Sequence, residues 1–251
     1  MDLIRRLKKE KAESGAPFPH SSQTQPVDSN RLLSLLTTQP FSFTPIALAS
    51  RRCSSGPSDI FYVPDFISAE DEEQLVRNLD MGDPWIQLKT RRLKCYGDDI
   101  SVPSWLEALL DGVVSSGIWE DATTRPNHVL INDYSPGQGI MHHTDGPLYR
   151  DHVVILSLGS SATMSFRPNL KPHEIGIKSQ LDVARVHLQP RSALVFRGDA
   201  YRDYLHGILD VTHDEVCDDD GITINLGCLP SSLRGSVARG RRISLTIRRK
   251  L

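Results

Sequence analysis

The stretch His128-Val129-Leu130-Ile131-Asn132-Asp133-Tyr134-Ser135-Pro136-Gly137-Gln138-Gly139-Ile140-Met141-His142-His143-Thr144-Asp145 reads as a β-run, a Pro-Gly turn, and a second run that ends in an H-x-D triplet. Residues i and i+2 of a strand point to the same side, so the His143 imidazole and the Asp145 carboxylate can converge on one metal ion. Asn132 and Tyr134 share a face of the preceding run. Alone, the triplet is weak, because a chain with nine histidines and 22 aspartates meets one by chance. The run pattern recurs on the C-terminal side, in HVVILSLG (152–159), ATMSF (162–166), ARVHL (184–188), ALVF (193–196), ITINLG (222–227) and RISLTIR (242–248), divided by Gly, Pro and polar turns. Many short strands after a helical start predict a mainly β sandwich or jelly roll with flanking helices packed outside it.

Further along, His206 in Tyr204-Leu205-His206-Gly207-Ile208 can add a second imidazole. A two-His, one-carboxylate triad leaves coordination positions open and suits non-haem Fe(II). Arg242, Ser244, Thr246 and Arg248 stand at even spacing on one short strand, hence on one face. Two guanidiniums aimed to one side need an anion, and a diacid fits. Asn132 and Tyr134 bring hydrogen-bonding groups toward the same place. His142 and Thr144 face the other way, which predicts packing rather than ligation. His128, His152, His187 and His213 have no partner pattern and read as structural.

Towards the N-terminus, Ile60 to Val63 reads as a strand, and Ser68 as the N-cap of a helix with an acidic first turn (Glu70, Asp71, Glu72) and a buried stripe of Leu75, Val76 and Leu79. A second helix follows Pro103, with Leu106, Leu109, Leu110, Val113 and Val114 on one face. Between Ser14 and Ser58, 23 of 45 residues are Ser, Thr, Pro or Gln. Such a composition buries little surface, so residues 1–58 are expected to be a disordered low-complexity extension and 59–251 the folded domain. Residues 168–181 are loop-like, and 209–221 form an acidic insert (Asp210, Asp214, Glu215, Asp218, Asp219, Asp220).

With 29 basic and 31 acidic residues in 251, the net charge of −2 excludes a uniformly polycationic nucleic-acid binder. Polyanion binding would have to come from a local patch. The candidates are Lys89, Arg91, Arg92 and Lys94 followed by Tyr96, in a segment of about 86–98, and a second cluster of Arg234, Arg239, Arg241, Arg249 and Lys250. Four cysteines without a C-x-x-C pairing read as reduced thiols of an intracellular protein. No apolar run approaches the roughly 18 residues of a membrane span, and acids among residues 2–13 argue against a transit peptide.

Three separated motifs agree in order and spacing: N-x-Y-x-P-G-x-x-I-x-x-H-x-D over 132–145, HGI at 206–208, and R-x-S-x-T-x-R over 242–248. Through them the chain resembles an AlkB-type Fe(II)/2-oxoglutarate-dependent dioxygenase. The strings YVPDFIS, NHVLINDY, GIMHHTDGPLY, ILSLGS and RISLTIRR are most similar to the eukaryotic AlkB homologue six subgroup, and the resemblance spans residues 60–250. It implies a double-stranded β-helix that uses Fe(II), 2-oxoglutarate and O2, with His143, Asp145 and His206 as iron ligands. It implies that Arg242 meets the distal carboxylate of 2-oxoglutarate beside Tyr134 and Ser244, with Arg248 and Asn132 nearer the metal. Ser244 stands where many members of the family have Asn, and 35 residues separate His206 from Arg242, an unusually long insert.

The activity implied is oxidative N-demethylation of alkylated nucleic acid, RNA or DNA, releasing succinate, CO2 and formaldehyde. In that reading 86–98 is a nucleotide-recognition lid, with Lys89, Arg91, Arg92 and Lys94 on phosphates and Tyr96 stacked on an extruded base. Two alternatives stay open: a protein side-chain hydroxylase or demethylase on the same iron centre, and a nucleic-acid-binding member of the fold with little turnover. A monomer in the nucleus, the cytoplasm or both is expected.

Overall fold

The computed structural model describes residues 41–170, 181–217 and 221–251. Its elements in chain order are β1 (Ile60–Val63), α1 (Ala69–Met81), β2 (Ile86–Gln87), β3 (Arg92–Tyr96), α2 (Ser104–Ser115), β4 (His128–Tyr134), β5 (Ile140–His143), β6 (Tyr149–Gly159), β7 (Ala162–Pro168), β8 (Ala184–Leu188), β9 (Ala193–Arg197), α3 (Gly198–Arg202), β10 (Tyr204–Ile208), β11 (His213–Val216), β12 (Gly235–Ala238) and β13 (Arg242–Lys250).

Alternation along β13 explains the layering. Ile243, Leu245 and Ile247 join an outer core with Leu75 and Leu79 of α1 and Leu106, Leu109, Leu110 and Val113 of α2. Arg242, Ser244 and Thr246 point to the opposite face and line a pocket. β13 lies centrally in a seven-stranded antiparallel sheet of order β1-β9-β6-β13-β4-β3-β2. A four-stranded sheet, β5-β10-β7-β8, covers its inner face. The space between the sheets is apolar on the β1, β9 and β6 side, where Ile60, Tyr62, Val153 and Phe196 meet Met164, Phe166 and Val186. Under β4 and β13 it is polar. This is the jelly roll that the strand pattern predicts, with α1 and α2 on the outside.

The first helix starts as expected. Ser68 Oγ accepts from the Asp71 backbone N–H at 3.0 Å, while the Asp71 carboxylate accepts from the Ser68 N–H at 3.2 Å, a reciprocal capping box. Among the described residues, no helix is long and apolar enough to cross a membrane.

Three expectations change. The folded unit begins near residue 40 rather than 59: Phe41, Phe43 and Ile46 pack on the outer core and Leu48 is buried. Phe43 lies so close to α2 that a Cβ on Gly112 would sit 1.7 Å from its ring. The Ser- and Pro-rich composition hides these few anchors. Residues 1–40 of the expected extension, 171–180 of the expected loop and Asp218 to Asp220 of the acidic insert lie outside the described residues.

Second, ITINLG is not a strand. Its described backbone makes one bridge, Thr223 to Arg185, and then a 3-10 turn over Leu226–Cys228. The Asn225 side chain takes the place of a strand, its Oδ1 accepting from the His187 N–H at 3.0 Å and its Nδ2 donating to the His187 carbonyl at 2.9 Å. Third, the insert between His206 and β13 contains a ribbon of β11 and β12. Its Asp214 is buried against Arg239, 2.6 Å away, so this acid is a structural partner.

Candidate metal centre and cosubstrate pocket

β5 and β10 are antiparallel neighbours with His143 and His206 in register. Their close approach needs glycine. A Cβ on Gly207 would lie 2.9 Å from the His142 backbone nitrogen, and one on Gly139 2.2 Å from the Ile208 carbonyl oxygen. With the backbones so close, the rings of His143 and His206 stand 4.5 Å apart, and Asp145, two residues beyond His143, turns its carboxylate onto them. The three ligand atoms all lie within 4.8 Å of one another.

Each of these side chains is held by its surroundings. His143 Nδ1 is 2.8 Å from the Met141 carbonyl and donates to it, which leaves Nε2 with its lone pair toward the site. His206 is buried against the rings of Phe166 and Phe196, and burial pushes its imidazole down to about 4, so that it is neutral, as a ligand must be. Burial would raise the Asp145 carboxyl, but the Arg248 guanidinium, donating from Nη1 to Oδ1 at 2.5 Å, outweighs this and holds it below its usual range. The other oxygen, Oδ2, is buried without a hydrogen-bond partner, 3.9 Å from His206 Nε2. Two imidazoles and an orphaned carboxylate oxygen fit a divalent iron with positions left open.

From this triad a small cavity extends between the sheets. Asn132, Tyr134, Arg242, Ser244 and Thr246 form its polar wall, and Leu130, Ile140, Ile155, Met164 and Ile208 its apolar one. Arg242 is 3% exposed, with its Nη2 donating to Ser157 Oγ at 2.9 Å and its Nε and Nη1 unpartnered. Burial far from a direct carboxylate partner pushes this guanidinium down to about 10. A buried cation with two idle donors facing a cavity is a seat for a carboxylate. Ser157, opposite Ser244 in the β6–β13 register, was not singled out from the sequence. Its signal is a lone polar residue inside the apolar run Val153 to Leu158.

The basic segment divides along the strand alternation of β3. Arg91 shares the inner side with Leu93, and its Nε donates to Asn132 Oδ1 at 2.8 Å, on the pocket wall. Arg92, Lys94 and Tyr96 face the opposite way, toward α1. Arg92 pairs with Asp133 at 2.8 Å. The Lys94 ammonium donates to the Leu79 carbonyl and lies over the Trp85 ring. Tyr96 is 1% exposed with its hydroxyl on Asp83. The expectation that Lys94 holds phosphate and Tyr96 stacks on a base therefore fails: both are buried side chains of β3, packed toward α1 and Trp85. Lys89 is exposed at the hairpin tip. The second cluster is likewise engaged: Arg241 pairs with Asp80 and Asp133, Arg239 with Asp214 and Lys250 with Asp98.

His142 keeps to the opposite face, as predicted, with its Nε2 2.8 Å from Ser165 Oγ. Of the histidines expected to be structural, His152 stacks on Trp119 and His187 contacts Thr163.

Among known proteins, the profile of the 2OG-Fe(II) oxygenase superfamily matches residues 97–248. The chain is 32% identical over 205 residues to "Probable RNA/DNA demethylase ALKBH6" of Danio rerio, covering 76% of this chain and 86% of that protein. It is 28% identical over 220 residues to the Mus musculus protein "tRNA (carboxymethyluridine(34)-5-O)-methyltransferase ALKBH8", covering 77% of this chain and 30% of that one. The solved structure of OsALKBH1 superposes with a TM-score of 0.50 at 15% identity, over 78% of this chain and all of that one, a likeness of fold.

Proposed function

Because the chain belongs to the 2OG-Fe(II) oxygenase superfamily and is a dioxygenase using Fe(II), 2-oxoglutarate and O2, we propose that it removes methyl groups oxidatively from an alkylated nucleic acid. In this reading His143, Asp145 and His206 hold the iron, and Arg242 receives the distal carboxylate of 2-oxoglutarate. The observation that carries the cosubstrate assignment is the buried Arg242 guanidinium with two idle donors at the pocket wall.

Fe(II) held by His143, Asp145 and His206 would activate O2, the oxidant: one oxygen atom would pass to 2-oxoglutarate as it is oxidised to succinate and CO2, and the other would enter the substrate's N-methyl C–H bond, whose hydroxymethyl product releases formaldehyde. The chain's own share is positional. Arg248 holds the Asp145 carboxylate ionised and in place, and the Met141 carbonyl fixes the His143 tautomer. Phe166 and Phe196 exclude water from behind His206. Tyr134, Ser244 and Asn132 line the space beside Arg242, where they can orient the cosubstrate.

The nucleic-acid substrate is supported by the likeness to the Danio rerio protein and by the exposed Lys89 and half-buried Arg91 at the pocket side of the β2–β3 hairpin. A second reading, oxidation of a protein side chain, is favoured by the pairing of Arg92 and Arg241 away from the pocket and by the exposed Met141 and Leu148, which flank the H-x-D segment. Mass spectrometry of modified nucleosides and of peptides after incubation with iron, ascorbate and 2-oxoglutarate separates them. Loss of a methylated nucleoside with matching formaldehyde supports the first, and a +16 or −14 Da peptide change with no nucleoside change replaces it with the second.

A further inference from the structure

His128 was read as structural, yet it lies at the centre of a connected polar chain that ends on the metal site. On the inner face of the large sheet His128 stands opposite Arg248 in register. Its Nδ1 is 3.4 Å from Arg248 Nη2, and the same guanidinium reaches Asp145 through Nη1. Since Nη2 can only donate, Nδ1 accepts. The proton of the neutral ring is then on Nε2, which faces Asp98 Oδ2 at 3.3 Å. Asp98 is in turn paired with the Lys250 ammonium. Cys95 Sγ at 3.2 Å and the Tyr149 hydroxyl at 3.4 Å complete the surroundings of Nε2, and the Tyr149 ring lies 3.9 Å beneath the Arg248 guanidinium.

Cys95, Asp98 and His128 lie close enough to one another to suggest a second cation site. The charges argue against it: Lys250 already neutralises Asp98 and Arg248 lies against the other side of the imidazole, so a divalent ion would be a third cation in a buried space. The arrangement is instead a brace for Arg248. A guanidinium on a long side chain can approach a carboxylate in several ways. With Nη2 bound to His128 and its plane on Tyr149, the guanidinium is turned so that Nη1 addresses Asp145, while Nε is buried without a partner.

We propose that His128 and Asp98 are positioning residues which act through Arg248 to set the Asp145 carboxylate for iron. This rests on the reading of His143, Asp145 and His206 as the metal site. Partners one step removed from a ligand commonly change metal affinity ten- to a hundredfold. His128 stands one residue further from the ligand and Asp98 two, so a three- to tenfold weakening is expected.

The test is anaerobic titration of the full chain with Fe(II) in the presence of 2-oxoglutarate, repeated with Mn(II). His128→Leu and Asp98→Asn should each weaken metal binding about three- to tenfold. His128→Asn, whose amide oxygen can replace Nδ1 as acceptor, should recover part of the loss. In an Arg248→Lys background, where one ammonium cannot bridge His128 and Asp145 as the guanidinium does, Asp98→Asn or His128→Leu should add little. A role limited to packing gives equal losses in both backgrounds and no recovery with Asn. That result, or unchanged affinity in Asp98→Asn and His128→Leu, overturns the proposal. If His128→Leu does not fold, the Asp98→Asn and Arg248→Lys cycle decides alone. A wild-type chain that takes up no metal overturns the metal-site reading instead, so the two failures are told apart.

Discussion

Arg241 and Arg242 are adjacent in the chain and look interchangeable there, but the fold turns them to opposite faces of the large sheet. Arg241 reaches outward, where it clamps Asp80 of α1 and Asp133 of β4 at 2.6 and 2.9 Å. Arg242 reaches inward and meets a serine hydroxyl, with its remaining donors idle. The outer pair is a finished structural contact. The inner residue is a buried guanidinium whose Nε and Nη1 have no hydrogen-bond partner. What separates them is the presence or absence of a compensating carboxylate, which a count of basic residues does not register.

The largest effect expected on the inner face comes from the triad proposed to hold iron. His143→Ala, Asp145→Ala and His206→Ala should each abolish 2-oxoglutarate turnover, measured as succinate release, while the far-ultraviolet circular dichroism stays that of the wild type. Wild-type turnover in any one variant removes that residue from the site.

On the outer face the expected loss is in stability. Arg92→Ala combined with Arg241→Ala strands Asp133, 5% exposed, without a cationic partner, and should cost about 1 to 3 kcal/mol in urea unfolding. The same variant should keep the salt dependence of oligonucleotide binding unchanged. If the slope of log affinity against log salt falls by about two, these arginines contact phosphate and the division between faces is wrong.

The dry interior also predicts a pH dependence. Burial pushes His128, His152 and His206 down to about 4, against about 6.5 in the unfolded chain. Between those values the unfolded state binds more protons, so the histidines' part of the stability is fully present above about pH 6.5 and is lost progressively toward pH 4. The urea midpoint of the metal-free chain should fall between pH 7 and pH 5. A flat or rising midpoint contradicts this.

The smallest effect concerns Arg91, the basic residue of the hairpin that touches the pocket wall. Arg91→Ala should weaken 2-oxoglutarate by about 1 kcal/mol through the loosened Asn132 side chain, read by the same calorimetry as below. No change would leave Arg91 to a substrate role alone.

Much of this was legible beforehand, for physical reasons that differ by element. The cluster of His143, Asp145 and His206 was legible because metal chemistry restricts both residue type and spacing. The inward set on β13 was legible because strand alternation has period two. The same rule shows that Arg92, Lys94 and Tyr96 share one side, but the sequence does not say which side of the sheet is lined by α1. Composition concealed the packing of Phe41, Phe43 and Leu48, since a few anchors among many Ser and Pro residues barely shift an average. The role of Asn225 was illegible because a side-chain amide there stands in for backbone pairing. The brace through Asp98 and His128 joins residues 30 apart in sequence to a third strand, so no local motif announces it.

The most direct measurement is calorimetric titration of 2-oxoglutarate into the Mn(II)-loaded full chain as wild type, Arg242→Ala and Arg241→Ala. Losing the partner of a buried carboxylate should cost Arg242→Ala about 2 to 5 kcal/mol of cosubstrate affinity, while Arg241→Ala should stay within about 0.5 kcal/mol of the wild type. Equal affinities in the two variants, or a larger loss in Arg241→Ala, would contradict the assignment of the inner face of β13 to the cosubstrate.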